Sequence, residues 1–302
     1  MLKTRISKIE LDNPTILASG ILGVTKDSLK RVIQNGAGAV TTKSISKEPR
    51  KGHKSPIILT EGDFMLNAVG ISNPGVGEAS KEFSALKELK APVFGSIVGT
   101  TPEEFVEVLQ GFSKNDFSAI EVPLSCPHTP GYGTMAGQGT PEATHKITSA
   151  IRDATKLPLI IKLSPNTQDL SKVAKAAEEA GADAICAVNS LGPGMKINID
   201  VKKPVLGFGV GGLTGPALRP IAVRCVFDIY KSVDIPIIGT GGVTYGRDAI
   251  EMLMAGASAV GVGTAVYYRE VNVFKKICDE MESWMKENNY TKIEQLIGAV
   301  HD

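Results

Sequence analysis

The sequence predicts an α/β chain folded as a (β/α)8 barrel, with insertions that cover the C-terminal mouth. Eight short apolar, β-branched runs alternate with amphipathic helical stretches along the 302 residues, the pattern of a parallel sheet buried under helices. A weak repeat marks the joints: Gly36-Ala-Gly-Ala-Val40, Gly181-Ala-Asp-Ala-Ile185 and Gly256-Ala-Ser-Ala-Val260 each place a helix-ending glycine before a strand of small and branched residues. With 42% hydrophobic and 22% charged residues the chain can bury one large core. Residues 1–302 are therefore read as a single barrel domain.

The expected strands are Thr15 to Ala18, Ala39 to Lys43, Val93 to Ile97, Ala119 to Leu124, Leu159 to Leu163, Ala184 to Val188, Ile235 to Gly239 and Ala259 to Val262. Helices are expected over Lys26 to Gln34, Glu103 to Phe112, Glu142 to Thr155, Asp169 to Ala180, Gly246 to Met254 and Val273 to Asn288. Two stretches are too long for simple βα loops, Ser44 to Gly75 and Leu191 to Gly212. In a TIM barrel these fold over the mouth, where the chemistry is assembled. Within the second, Gly207-Phe-Gly-Val-Gly-Gly212 matches a dinucleotide motif, but no strand precedes it and no conventional helix follows. It is read as a mouth loop.

Composition excludes several classes. The net charge is +1 and no basic stripe suggests a nucleic-acid partner; the basic segment Lys47 to Lys54 reads as a solvated loop. The cysteines at 126, 186, 225 and 278 show no metal-ligand spacing. With no leader and no apolar run near the ~18 residues of a membrane span, a soluble protein of the reducing cytoplasm is expected. His53, His145 and His301 share no spacing, so surface positions are expected for them.

Chemistry-bearing residues collect at the strand ends: Ser19, Lys43-Ser44, Cys126, Lys162 and Asn189-Ser190. Lys162, isolated in Leu159-Ile-Ile-Lys-Leu163, is costly in a dry core and so faces an anionic ligand or a carboxylate partner. The last two strands end in Gly239-Thr-Gly-Gly242 and Gly263-Thr264. Glycines there let backbone N–H groups approach a phosphate, the anion site of such barrels. Cys126, held between Ser125 and Pro127 before the glycine-rich stretch Gly131 to Gly139, is either a proton-transfer residue or a small buried hydrophobe.

Taken in order, Asn13-Pro-Thr-Ile-Leu-Ala-Ser-Gly20, Thr42-Lys-Ser44, Met65-Leu-Asn-Ala-Val-Gly70, Asn73-Pro-Gly75, Ser125-Cys-Pro127, Lys162-Leu-Ser-Pro-Asn166, Asn189-Ser190, Gly211-Gly-Leu-Thr-Gly-Pro216, Pro236-Ile-Ile-Gly-Thr-Gly-Gly242 and Gly263-Thr264 resemble the class 1 dihydroorotate dehydrogenases and their dihydropyrimidine dehydrogenase relatives. The resemblance implies FMN-dependent oxidation of dihydroorotate to orotate in pyrimidine biosynthesis. It implies that Gly215, Gly241, Gly242, Gly263 and Thr264 hold the FMN phosphate. Ser19, Lys43, Ser44, Ser96 and Val188 then flank the isoalloxazine, with Lys162 at its N1 and O2 edge. Substrate contacts are implied for Lys43, Asn67, Ala68, Val69, Gly70, Ile71, Asn189 and Ser190, whose polar groups suit a pyrimidine edge. Cys126 occupies the family position of the base that takes the C5 proton while hydride leaves C6. Class 1B resemblance implies a partner electron-transfer subunit with FAD and an iron–sulfur cluster; class 1A resemblance implies a self-sufficient homodimer.

Two residues depart from the family pattern. His128 stands where Asn is common, a form similar to archaeal-type relatives, and Pro123 stands where the family Asn contacts substrate and flavin. Proline offers neither a side-chain amide nor an N–H. Two alternatives therefore stay open, an FMN-dependent reductase of a uracil- or thymine-like ring and a non-redox phosphate-ligand barrel.

Overall fold

The computed structural model describes residues 1–124 and 139–301. Eight parallel strands close into a barrel: β1 (Thr15–Leu17), β2 (Ala39–Thr41), β3 (Val93–Ser96), β4 (Ala119–Pro123), β5 (Leu159–Leu163), β6 (Ala184–Ala187), β7 (Ile237–Thr240) and β8 (Ala259–Val262). Neighbours follow chain order, and β8 returns to β1 through the pair Gly261↔Ile16. All residues of these strands are buried, which is why they read as continuous apolar runs.

Side chains alternate between the two faces of each strand, so every second residue enters the barrel. The odd strands send in Ile16, Phe94, Ile160 and Ile238; the even ones send in Ala39, Ala119, Ala184 and Ala259. Large and small residues thus interlock. The antiparallel hairpin Thr4–Ile6 and Ile9–Leu11 adds Ile6 and Leu11 to the same cluster and plugs the barrel floor, with Thr4 Oγ1 donating to the Ser258 carbonyl at 2.8 Å. Two residues further along the inward faces, the apolar filling gives way to Thr41, Ser96, Glu121, Lys162, Cys186 and Thr240, all buried.

The outer helices are α1 (Lys26–Gln34), α2 (Val76–Glu82), α3 (Pro102–Gly111), α4 (Pro141–Ala154), α5 (Leu170–Glu179), α6 (Arg219–Tyr230), α7 (Gly246–Met254), α8 (Ala265–Arg269) and α9 (Val273–Glu287). The six expected from sequence are present. Their starts have local causes: Thr25, Thr101, Thr140 and Asp169 each accept a hydrogen bond from the third helical N–H, and prolines open α3 and α4. Helices α2 and α6 were not expected, whereas α8 follows Gly263-Thr264 where a helix-like segment was expected. In α6 apolar residues run around the helix, with Ala222, Val226 and Ile229 buried and Ile221 exposed, so no single stripe announces it.

The two long insertions meet above the mouth, as expected. Leu191–Gly194, Gly211–Thr214, Phe64–Asn67 and Ile58–Glu61 form one antiparallel four-stranded sheet in that order, with Leu66, Ala68 and Leu206 as its small core. Gly207 to Gly212 leads into this sheet and not into a helix. Two histidines differ from expectation. His53 is half-buried, stacked 3.9 Å from Phe208 with Nδ1 3.1 Å from the Ala68 carbonyl, and so ties the insertions together. His301 is half-buried too, stacked on Phe227, whereas His145 is exposed as expected.

The interlocked interior sets an expectation for stability. Phe94→Ala removes the largest side chain of the inner cluster and should cost about 3–5 kcal/mol in urea unfolding. Val24→Ala, at a position 55% exposed, should stay within about 0.5 kcal/mol. Equal midpoint shifts for the two variants would contradict this packing.

Candidate functional site

A cavity of about 300 Å³ lies between the C-terminal ends of the barrel strands and the mouth sheet. From the barrel it is lined by Ser19, Lys43, Ser44, Pro123, Lys162, Val188, Asn189, Ser190, Gly241, Gly242, Gly263 and Thr264. The insertions contribute Asn67, Ala68, Val69, Gly70, Ile71 and Gly215. Residues singled out along more than two hundred positions of sequence therefore share one space. Ser96 is the exception among the described residues; it is sealed behind Ser44, with the two hydroxyl oxygens 2.9 Å apart. Cys126 and His128 lie outside the described residues.

The cavity floor is ionic. Lys162 is 4% exposed and donates from Nζ to Ser19 Oγ at 3.1 Å. Burial pulls its pKa down, but the Glu121 carboxylate, with a smaller contribution from Cys186, outweighs this and holds the ammonium above its ordinary range. Of the two partners expected for Lys162, the structure sets the Glu121 carboxylate within electrostatic reach, without a direct ion pair, and leaves the lysine facing the cavity. Lys43 moves the other way: burial, then repulsion from Lys162, lowers its pKa. Cys186, 3.3 Å from Thr240 Oγ1, is pushed up to about 11 by burial and stays a neutral thiol.

Glu121 was not singled out from sequence, although it is 4% exposed and accepts from Ser96 Oγ at 3.1 Å. The signal was available in the alternation of β4, where Ala119, Glu121 and Pro123 share the inward face.

The opposite end of the cavity is built from backbone. Gly215 and Gly242 have φ of +90° and +76°, and a Cβ at Gly242 would lie 2.9 Å from the Gly215 carbonyl oxygen, so the two loops touch. A Cβ on Gly263 would meet only Ala18, at 3.7 Å, and would project into the cavity. Among the described residues, the N–H groups of Gly241, Gly242, Gly263 and Thr264 donate to no group of the chain. Four unpaired donors around a glycine-lined hollow fit a phosphate. The strip facing them from the insertions is pinned by Asn73, whose side chain donates to Ser46 Oγ and the Ile71 carbonyl and accepts from the N–H groups of Ser46 and Gly75. Asn67 Nδ2 donates to the Gly212 carbonyl at 3.2 Å, joining the insertions at the cavity roof.

Comparison with known proteins agrees with this arrangement. The dihydroorotate dehydrogenase family model matches residues 1–285. The catalytic subunit of dihydroorotate dehydrogenase B (NAD(+)) from Methanothermobacter thermautotrophicus is 46% identical over 303 residues, covering 100% of this chain and 99% of that one. The subunit of the same description from Methanocaldococcus jannaschii is 45% identical over 306 residues, with 100% and 99% covered. That from Pyrococcus abyssi is 43% identical over 298 residues, with 99% and 98% covered. Their description as catalytic subunits implies a further subunit in those enzymes. Among the described residues no helix is long and apolar enough to cross a membrane. With family identity running through barrel and insertions alike, the chain belongs to the dihydroorotate dehydrogenases, a flavin-dependent family of oxidoreductases.

Proposed function

We propose that this chain is the catalytic subunit of an FMN-dependent dihydroorotate dehydrogenase of class 1B type, oxidising dihydroorotate to orotate for pyrimidine biosynthesis. One observation carries the reading: a single cavity joins unpaired backbone donors at the ends of β7 and β8, a buried ammonium, and a row of amide and hydroxyl groups. FMN, when bound, supplies the hydride acceptor. Its phosphate suits the donors of Gly241, Gly242, Gly263 and Thr264 beside Gly215. Ser19, Lys43, Ser44 and Val188 border its ring, Ser96 buttresses Ser44, and Lys162 stands at the ring edge that gains negative charge.

The chain's residues then divide the remaining work. Asn67, Asn189 and Ser190 offer amide and hydroxyl groups to the pyrimidine, and Ala68 to Ile71 offer backbone. Lys43 provides a cation for the substrate carboxylate. The Cys126 Sγ takes the C5 proton as hydride leaves C6. Pro123 presents an apolar ring to the cavity, so the pyrimidine edge must be read by Asn67 and Asn189.

The relatives' names support a further subunit and NAD(+) as electron acceptor; the class 1B resemblance adds FAD and an iron–sulfur cluster as that subunit's carriers. A homodimer of catalytic subunits, in the cytoplasm, completes the proposal. Met195, Ile197, Ile199 and Val201 alternate with polar residues on the ribbon that follows Leu191–Gly194, and each is more than half exposed. Such a stripe is suited to an interface between copies.

Three outcomes test the reading. Cys126→Ser should retain FMN and orotate affinity yet slow anaerobic flavin reduction by dihydroorotate by roughly 10²–10⁴-fold, the contribution of a positioned base; a wild-type rate would remove the thiol from the mechanism. Orotate affinity should also follow Lys43. Because burial lowers its pKa, it loses its proton, and its attraction for the carboxylate, at lower pH than an ordinary lysine. Above that point affinity should weaken by about tenfold per pH unit, while Lys43→Met should bind weakly at every pH; parallel profiles would exclude the pairing. Finally, Ile199→Asp should convert a dimer to a monomer in light scattering without loss of FMN, and an unchanged mass would place the interface elsewhere.

A further inference from the structure

We infer that Glu121, sealed within the barrel, is the positioning residue that keeps Lys162 cationic at the cavity floor. The inference deepens the flavin reading of the cavity and rests on it for its consequence. Glu121 does not line the cavity, so its influence passes through its neighbours. Its Oε1 accepts from Ser96 Oγ, whose oxygen is 2.9 Å from that of Ser44 on the cavity wall. On the next strand Lys162 pairs in register with Pro123, the residue two beyond Glu121 on the same inward face.

The groups packed around Lys162 leave few other sources of negative charge. β4 presents Glu121, β6 presents Cys186, the end of β1 presents the Ser19 hydroxyl, and Lys43 follows β2. Cys186 stays protonated to about 11, and Lys43 repels. Glu121 is thus the one carboxylate among these. A buried ammonium without a carboxylate discharges, and the Glu121 carboxylate opposes this at Lys162.

Glu121→Gln tests the assignment, because the amide keeps the volume and still accepts from Ser96 while losing the charge. The reading is the flavin midpoint potential as a function of pH. In Glu121→Gln, Lys162 should lose its proton within the working pH range, so the potential should fall towards that of Lys162→Ala as pH rises. Glu121→Asp should keep the wild-type profile, and Glu121→Gln should change nothing further in a Lys162→Ala background. A wild-type profile in Glu121→Gln, or an added shift in that background, would overturn the inference.

Folding stability supplies an arm that needs no flavin. Each single variant strands one buried charge, so urea midpoints should fall more for Glu121→Gln or Lys162→Ala than for the double variant. Additive losses, or a double variant that fails to fold along with the single, would overturn the pairing. Wild-type protein that takes up no FMN would instead defeat the flavin reading, and this comparison would still decide the pairing.

Discussion

The structure is organised around one costly act, the burial of the Lys162 ammonium on the inward face of an otherwise apolar strand. The layers beneath it are packed with Ile16, Phe94, Ile160 and Ile238 against four alanines, which excludes water and lowers the local dielectric. A charge in that setting interacts far more strongly than it does in solvent. The same setting forbids leaving it alone. Glu121 and Cys186 on the neighbouring strands, with Ser19 beyond the end of β1, are the response, and the two strand residues occupy their places because strand side chains alternate with a period of two. A one-residue slip in β5 would turn Lys162 out towards the helices and bring Ile161 or Leu163 inside.

The anion end of the cavity uses the opposite strategy. No buried lysine is needed where backbone N–H groups converge, only the absence of side chains that would fill the space. Gly215, Gly242 and Gly263 meet that condition from three separate loops, with the first two close enough that a Cβ at Gly242 would crowd the Gly215 carbonyl. The two ends are joined by the mouth sheet. Its central pair, Gly212↔Asn67, brings together segments about 145 positions apart, so the roof exists only once both insertions have folded.

That difference explains what could be read from the chain. The strands were legible because double-sided burial leaves continuous apolar runs, and the helix starts because Thr25, Thr101, Thr140 and Asp169 act within four residues. Lys162 was conspicuous as a lone charge in such a run. Glu121 was passed over although the alternation of β4 turns it inward; what Ala119-Ile-Glu-Val-Pro123 does not reveal is that a lysine on the next strand stands in register with Pro123, two residues on. Helix α6 was hidden because both of its faces are largely apolar, and the stacking of His53 on Phe208 joins two insertions that no local pattern relates. Ser96 was read as bordering the cavity, but Ser44 stands in front of it. The ordered family motifs gathered the remaining residues in advance, and the cavity brings them together in space.

Pro123 shows where folding and chemistry separate. A proline inside a central strand usually forfeits a ladder hydrogen bond. Here Ile120 and Leu124 donate towards β5, to the carbonyls of Pro158 and Lys162, while the Glu121 carbonyl accepts from Ile97 on the other side. By the same alternation an N–H at position 123 would point towards β3, whose pairing with β4 has already ended at Ser96↔Glu121. The ring thus sits where the β3–β4 ladder stops, and its fixed φ suits an extended strand end. What proline changes is the cavity, where an apolar ring stands in the same lining as the amides, hydroxyls and ammonium group of Asn67, Asn189, Ser44, Ser190 and Lys162. On the proposed function, recognition of a ring with alternating donors and acceptors would move off the rigid barrel strand and onto Asn189 after β6 and Asn67 in the roof.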